Sequence, residues 1–132
     1  TYIKKIQIES RVMGSLAINH ILPAAIKYQH LLVSNVEGMK DIGLPRESYA
    51  AQVELIKEIS AHIAVIKKSS DDMVEARKKA NTMLDVRAKA VAYCDKVKAY
   101  FDTIRYHVDK LELIVDDESW PLPKYREMVT IR

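Results

Sequence analysis

The chain has 132 residues, of which 48% are hydrophobic and 30% charged, so it is long and apolar enough to bury one core. Its 21 basic and 18 acidic residues are spread along the sequence, which argues against a nucleic-acid-binding surface. The single cysteine excludes an internal disulfide and is typical of a reducing cytoplasm. We find no apolar run long enough to cross a membrane and no signal peptide.

Only three glycines and four prolines occur, which favours an almost wholly helical chain. The first predicted helix spans residues 3–39. Pro23 is expected to kink it, because proline removes a backbone donor and clashes with the preceding turn. The predicted apolar stripe of this helix comprises Ile6, Val12, Leu16, Ile18, Ile21, Leu22, Ala25, Ile26, Leu32, Val33 and Val36.

Residues 39–48, which include Gly43 and Pro45, form the first predicted break. A second helix is expected from a Ser48 cap to about Lys68, and residues 69–72 are expected to form a tight turn. Residues 71–117 contain no glycine or proline and predict a third helix. The second and third helices would then pair as an antiparallel hairpin.

Apolar residues recur in the third predicted helix at steps of three and four, as in a helix that packs along one seam. Its predicted exposed positions are Asp102, Asp109 and Lys110. The seam comprises Met73, Ala76, Ala80, Met83, Ala90, Cys94, Val97, Phe101, Ile104, Val108, Leu111 and Val115. The fold class is therefore predicted to be all-α, a single elongated helical bundle over residues 1–132. Because the sequence begins at Thr1, we expect it to be a fragment of a longer chain.

The segment WPLPKY, residues 120–125, is expected to be extended because its two prolines restrict themselves and their predecessors. It has two interpretations. In one it is a strap whose Trp120 and Leu122 insert between the first and third helices, with Tyr125 at its end. In the other it is a solvated ligand for a domain that binds polyproline helices.

No residue pattern predicts a catalytic centre. The four histidines lack the local spacing of zinc ligands, and no phosphate-binding loop is present. Cys94 is interpreted as a small apolar residue of the seam. The alternative is a cysteine nucleophile for which the distant His107 would act as the base. The acids at 116–118 could bind a hard cation, but three acids at a helix end are usually only solvated. The four histidines are His20, His30, His62 and His107.

Two end motifs and one central motif resemble a known family. Residues 8–11 (IESR), 21–25 (ILPAA) and 28–29 (YQ) are similar to a pattern near the C-terminus of type III glutamine synthetases. Residues 120–128 (WPLPKYREM) resemble the pattern that closes the same proteins. Residues 93–97 (YCDKV) and 104–105 (IR) resemble a helix between them, in which Cys94 stands where the family has Arg.

The resemblance implies an ATP-dependent glutamate–ammonia ligase that is cytoplasmic, uses Mg²⁺ or Mn²⁺ and assembles as stacked hexameric rings. The family's nucleotide, glutamate and metal residues map to none of these 132 positions. We therefore expect no catalytic, cofactor-binding or metal residue here, and contacts with other domains and protomers of the homo-oligomer. Residues expected to be structural or interfacial are Pro23, Phe101, Ile104, Val108, Leu111, Trp120, Leu122 and Tyr125.

Two other hypotheses remain at this point. The chain could be an independent helical adaptor that presents its proline-rich tail to a protein partner. It could also be an enzyme domain of the four-helix type, although the carboxylate and histidine ligand set of such domains is missing.

Overall fold

The computed structural model describes residues 2–116 and 118–121, and these are helical apart from short connections. The fold consists of three rods, each a run of one or more helical segments that follow one another in the chain. The first consists of α1 (Tyr2–Leu16), a π-helical turn (Ala17–Ile21) and α2 (Leu22–Asp41). The second is α3 (Ala50–Asn81), preceded by a 3₁₀ turn (Arg46–Ser48). The third consists of α4 (Val86–Ala92), a second π-helical turn (Tyr93–Val97) and α5 (Ala99–Ile114). The predicted all-α class is confirmed.

The first two rods run antiparallel. Near one end Gln7 Nε2 donates to Asn81 Oδ1 at 3.3 Å, and further along Gln29 Nε2 donates to Ser60 Oγ at 2.7 Å. At the other end they join through a break at Gly43, whose φ of +84° is the left-handed conformation that glycine adopts without strain. This break lies where the sequence predicts it.

The third rod runs parallel to the first and antiparallel to the second. The Lys98 Nζ lies 5.9 Å from the centre of the Tyr2 ring, and Ile104 and Val108 line one small cavity with Ala17 and Ile21. The core lies where the three rods meet. Its fully buried large side chains include Tyr93, Ile21, Ile59, Ile66, Met73, Ile104, Leu111 and Val97.

The predicted turn at residues 69–72 is wrong, because α3 continues unbroken to Asn81. The two aspartates of this segment pair with lysines one turn earlier on the same helix. The Lys67 Nζ lies 2.6 Å from Asp71 Oδ2, and the Lys68 Nζ lies 3.1 Å from Asp72 Oδ2. Such i,i+4 pairs support a continuing helix.

Residues 71–117 are therefore not one helix, and the break lies at Thr82–Asp85. Thr82 Oγ1 donates to Lys79 O at 2.7 Å as the helix ends. Asp85 then caps α4, because its Oδ2 accepts the Ala88 N–H at 2.9 Å. The hairpin of the second and third rods is present, but its turn is more than ten residues later than predicted.

The first rod is irregular directly before Pro23, where a kink is predicted. The five-residue π-helical turn ends at Ile21, the Leu22 N–H bonds to Ala17 O, and Pro23 is the second residue of α2. The kink itself stays a prediction, and two residues of the predicted stripe lie on the exposed side. Val12 and Ile26, predicted to be in the stripe, are 60% and 52% exposed.

Candidate functional site

The seam residues predicted on α5 lie in or beside the hydrophobic core. Phe101, Ile104 and Leu111 are buried and Asp102, Asp109 and Lys110 are exposed, as predicted, whereas Val108, predicted to be buried, is half-buried. Trp120 is buried as well, at 6% exposure. Its insertion between the first and third rods stays a prediction, and the parts assigned to Leu122 and Tyr125 lie outside the described residues. Pro23 is exposed on the first rod.

Cys94 lies on the surface, so its assignment to the seam is wrong. The π-helical turn Tyr93–Val97 places Tyr93 and Val97 in the core and turns Cys94 outward. His107 lies thirteen residues further along the rod, roughly 20 Å at 1.5 Å per residue. The structure pairs His107 with another histidine, so it gives the nucleophile interpretation of Cys94 no support.

Tyr93 on the third rod is linked to the other two rods through the side-chain amide of Asn81 on α3. Its hydroxyl donates a hydrogen bond to Asn81 Oδ1, which also accepts from Gln7 Nε2. Tyr93 is fully buried, so the hydroxyl needs this partner. The role of the site is structural: it fixes the end of the bundle near the Thr82–Asp85 turn.

His62 and His107 form a close pair of titratable side chains from two different rods. Their Nδ1 atoms lie 2.8 Å apart, and the ring centres are 5.1 Å apart with a 54° tilt. The Tyr106 ring meets His107 edge-on at 5.0 Å. At this separation one Nδ1 carries the proton and donates to the other. The pair therefore forms a side-chain hydrogen bond between α3 and α5.

Partial burial is the largest cause that lowers the pKa of His62, and the charges of His107 and Lys110 lower it further. The nearby carboxylate of Glu58, one turn earlier on α3, acts in the opposite direction. The neutral form of His62 is thus favoured in the folded state. Sequence reasoning missed this pair because 45 residues and a misplaced turn separate its members.

We expect the free energy of unfolding to fall as the pH drops from about 7.5 to 5.5. A histidine whose folded pKa lies below its unfolded value of about 6.5 takes up its proton more readily in the unfolded state. Urea denaturation at several pH values measures the slope. His62→Asn should flatten it, whereas the exposed control His30→Asn should keep it. Equal slopes in the wild type and His62→Asn would contradict this origin.

The turn patch, defined as Leu84, Val86 and Val91, is an apolar surface beside the Thr82–Asp85 turn. These side chains are 99%, 73% and 52% exposed. Of the three, Val91 lines a neighbouring groove of about 480 Å³, together with Arg87 and Ala92. Exposed apolar side chains that lie close together in the sequence are candidates for a contact surface. The turn patch is therefore one candidate interaction site.

The described residues contain no group of three or more His, Cys, Asp or Glu side chains that could hold a metal ion. Among the acids at 116–118, Asp116 Oδ1 accepts the Ser119 N–H at 2.8 Å, which is a turn contact, and Glu118 is exposed. No helix in the described part of the chain combines the length and apolar character needed to cross a membrane.

The described residues define the class: an all-α domain of three packed helical rods. Comparison with known proteins gives the family. Residues 1–40 match the sequence model of the glutamine synthetase C-terminal domain. Over 132 aligned residues the chain is 51% identical to a glutamine synthetase of Bacteroides fragilis, covering 97% of this chain and 18% of that protein. It is 25% identical to a type-3 glutamine synthetase of Dictyostelium discoideum over 99% of the chain and 18% of that protein.

Residues 1–40 thus match the glutamine synthetase C-terminal domain, and the similarity to glutamine synthetases extends over almost the whole chain, in agreement with its motifs. It spans about a fifth of the length of the curated relatives that it matches.

Proposed function

We propose that this chain is the C-terminal helical domain of a type III glutamine synthetase. The parent protein would condense glutamate and ammonia at the expense of ATP in the cytoplasm. The observation that carries the proposal is 51% identity sustained over 97% of the chain to a protein named glutamine synthetase. Support for type III comes from the relative named type-3 and from the motifs at residues 8–29 and 120–128.

The domain would contribute to assembly rather than to the reaction. ATP, Mg²⁺ or Mn²⁺ and glutamate would be bound by parts of the parent outside these 132 residues. The partners of this domain would be other domains and protomers of the same homo-oligomer. The turn patch supports this role, since an almost fully exposed leucine beside two exposed valines gains from burial against another protein surface.

The adaptor hypothesis has less support. It needs a solvated tryptophan that a partner could bind, but the Trp120 side chain is buried. The backbone N–H of Trp120 also donates to Asp116 O at 3.1 Å. A polyproline-type ligand would present that aromatic side chain to its partner.

We expect the purified 132-residue chain to form no γ-glutamyl hydroxamate from glutamate, hydroxylamine and ATP, and to hydrolyse no ATP. The reason is that the described helices bring together no phosphate-binding loop, metal ligand set or pair of catalytic carboxylates. The control is the full-length parent under the same conditions. Activity of the isolated chain above the buffer blank, lost on substitution of residues within it, would contradict the non-catalytic role.

A further inference from the structure

A groove lies beside the Thr82–Asp85 turn, between the last turns of α3 and the first half of the third rod. Its volume is about 440 Å³. We name it the alanine groove, because its apolar lining includes Ala76, Ala80, Met83, Ala92 and Ala99. An apolar side chain from a partner would be removed from water on entering such a groove, and this removal favours association.

Leu84 projects from the protein next to the alanine groove. It is 99% exposed, and it directly follows Met83, which lines the groove. Because consecutive Cα atoms are about 3.8 Å apart, the leucine and the groove belong to one surface. A two-fold dimer uses the same surface on both copies, so this surface must complement itself. A projecting apolar side chain beside an apolar groove meets that requirement, since each copy's leucine can enter the other copy's groove.

The charges beside the projection and the groove are also complementary. Lys79 of α3 and Lys96 of the third rod line the groove, and neither forms an ion pair within the part of the chain that the structure describes. The lining also contains the carboxylate of Asp95, so one positive charge is in excess. Asp85 directly follows Leu84 and is exposed. A leucine that enters a partner's groove therefore brings a carboxylate towards these lysines.

We propose that the occupant of the alanine groove is Leu84 of a second copy of this chain, in a reciprocal two-fold contact. Asp85 of each copy pairs with Lys79 or Lys96 of the other. The inference rests on the assembly role proposed above and names the partner, which is the same domain of another protomer. Two leucine insertions bury less than the roughly 1,200–2,000 Å² of a standard interface. The contact is therefore weak between isolated domains, and further contacts between protomers strengthen it in the parent.

Disulfide cross-linking between two differently tagged forms of the 132-residue chain tests the contact. Both forms carry Cys94→Ser, which removes the exposed native thiol. One form carries Leu84→Cys, and the other carries Ala76→Cys at a half-buried position of the groove lining. The mixed dimer should form at least tenfold faster than with Leu113→Cys, because a bound pair holds its two thiols at a high effective concentration.

Leu113→Cys is the matched control for Leu84→Cys, since Leu113 is also a largely exposed leucine but lies on α5. Each cross-linking rate is divided by the rate at which the same thiol reacts with a small disulfide, which corrects for its exposure. Equal corrected rates for the two variants would overturn the contact.

Removal of the groove lysines tests the charge pairing. Lys79→Gln together with Lys96→Gln, introduced into the Ala76→Cys form, should slow the mixed dimer several-fold. The control is Lys27→Gln together with Lys40→Gln, which removes two exposed charges from α2 and should leave the rate unchanged. An unchanged rate without the groove lysines would overturn the pairing with Asp85.

Failure of this contact is distinguishable from failure of the assembly role. If Leu84→Cys cross-links no faster than Leu113→Cys, yet Leu84→Glu together with Val86→Glu still dissociates the full-length parent, the assembly role stands. The turn would then contact another part of the parent, and the reciprocal contact would be overturned.

Discussion

Replacing Leu111 by alanine lowers the free energy of unfolding by about 2–5 kcal/mol. Leu111 is fully buried on α5, in the core between the rods. Truncation removes apolar surface from the core and leaves a cavity that the helices fill only in part. A loss of this size is a large share of the roughly 5–15 kcal/mol by which domains are stable.

Leu113 is the matched control, because it is the same residue type on the same helix and is 79% exposed. Leu113→Ala should change the free energy of unfolding by less than about 0.5 kcal/mol. Urea denaturation followed by far-UV circular dichroism compares the two variants. If Leu111→Ala costs less than about 1 kcal/mol, this half of α5 is not packed in the isolated chain.

The sequence predicts the fold class and the first break for clear physical reasons. Gly43 and Pro45 interrupt the apolar pattern at one place, and Gly43 takes up the left-handed conformation that closes α2. From residue 97 to residue 115 the seam keeps its period, and the structure buries Val97, Phe101, Ile104 and Leu111 as that period requires. Elements with strong periodicity and strong breakers are thus predictable from one sequence.

The second turn is not predictable by the same means. Residues 69–72 carry the serines and aspartates that favour a helix start, yet Ser69 and Ser70 are buried within α3 and the aspartates pair with lysines. The real break has no glycine or proline and depends on Thr82 and on the Asp85 cap. Several helix ends with comparable local signals compete there, and tertiary packing selects one.

The second π-helical turn lies where the predicted side-chain direction at Cys94 fails. A π-helical turn is wider than an α-helical one, so the residues at its two ends have a different angular relation than in an ideal helix. Tyr93 therefore occupies the core position predicted for Cys94. The histidine pair depends on where the chain reverses. His62 meets His107 because α3 continues to Asn81 before the third rod begins. No local pattern reveals that meeting.

Assembly of the full-length parent should depend on the turn patch. Leu84→Glu together with Val86→Glu should weaken association more than tenfold, because each carboxylate buried in an apolar interface costs several kcal/mol. The isolated domain should keep its stability, since both side chains are largely exposed and an acid at the start of α4 suits the helix dipole. The control is Leu113→Glu, an equally simple charge introduction outside the patch.

The molar mass of the full-length parent, measured by light scattering on a size-exclusion column, tests the assembly role most directly. The wild type is predicted to elute as an oligomer and the Leu84→Glu, Val86→Glu variant as smaller species, while Leu113→Glu keeps the wild-type mass. A double variant that keeps the full wild-type mass at every concentration tested would contradict an assembly role for this surface.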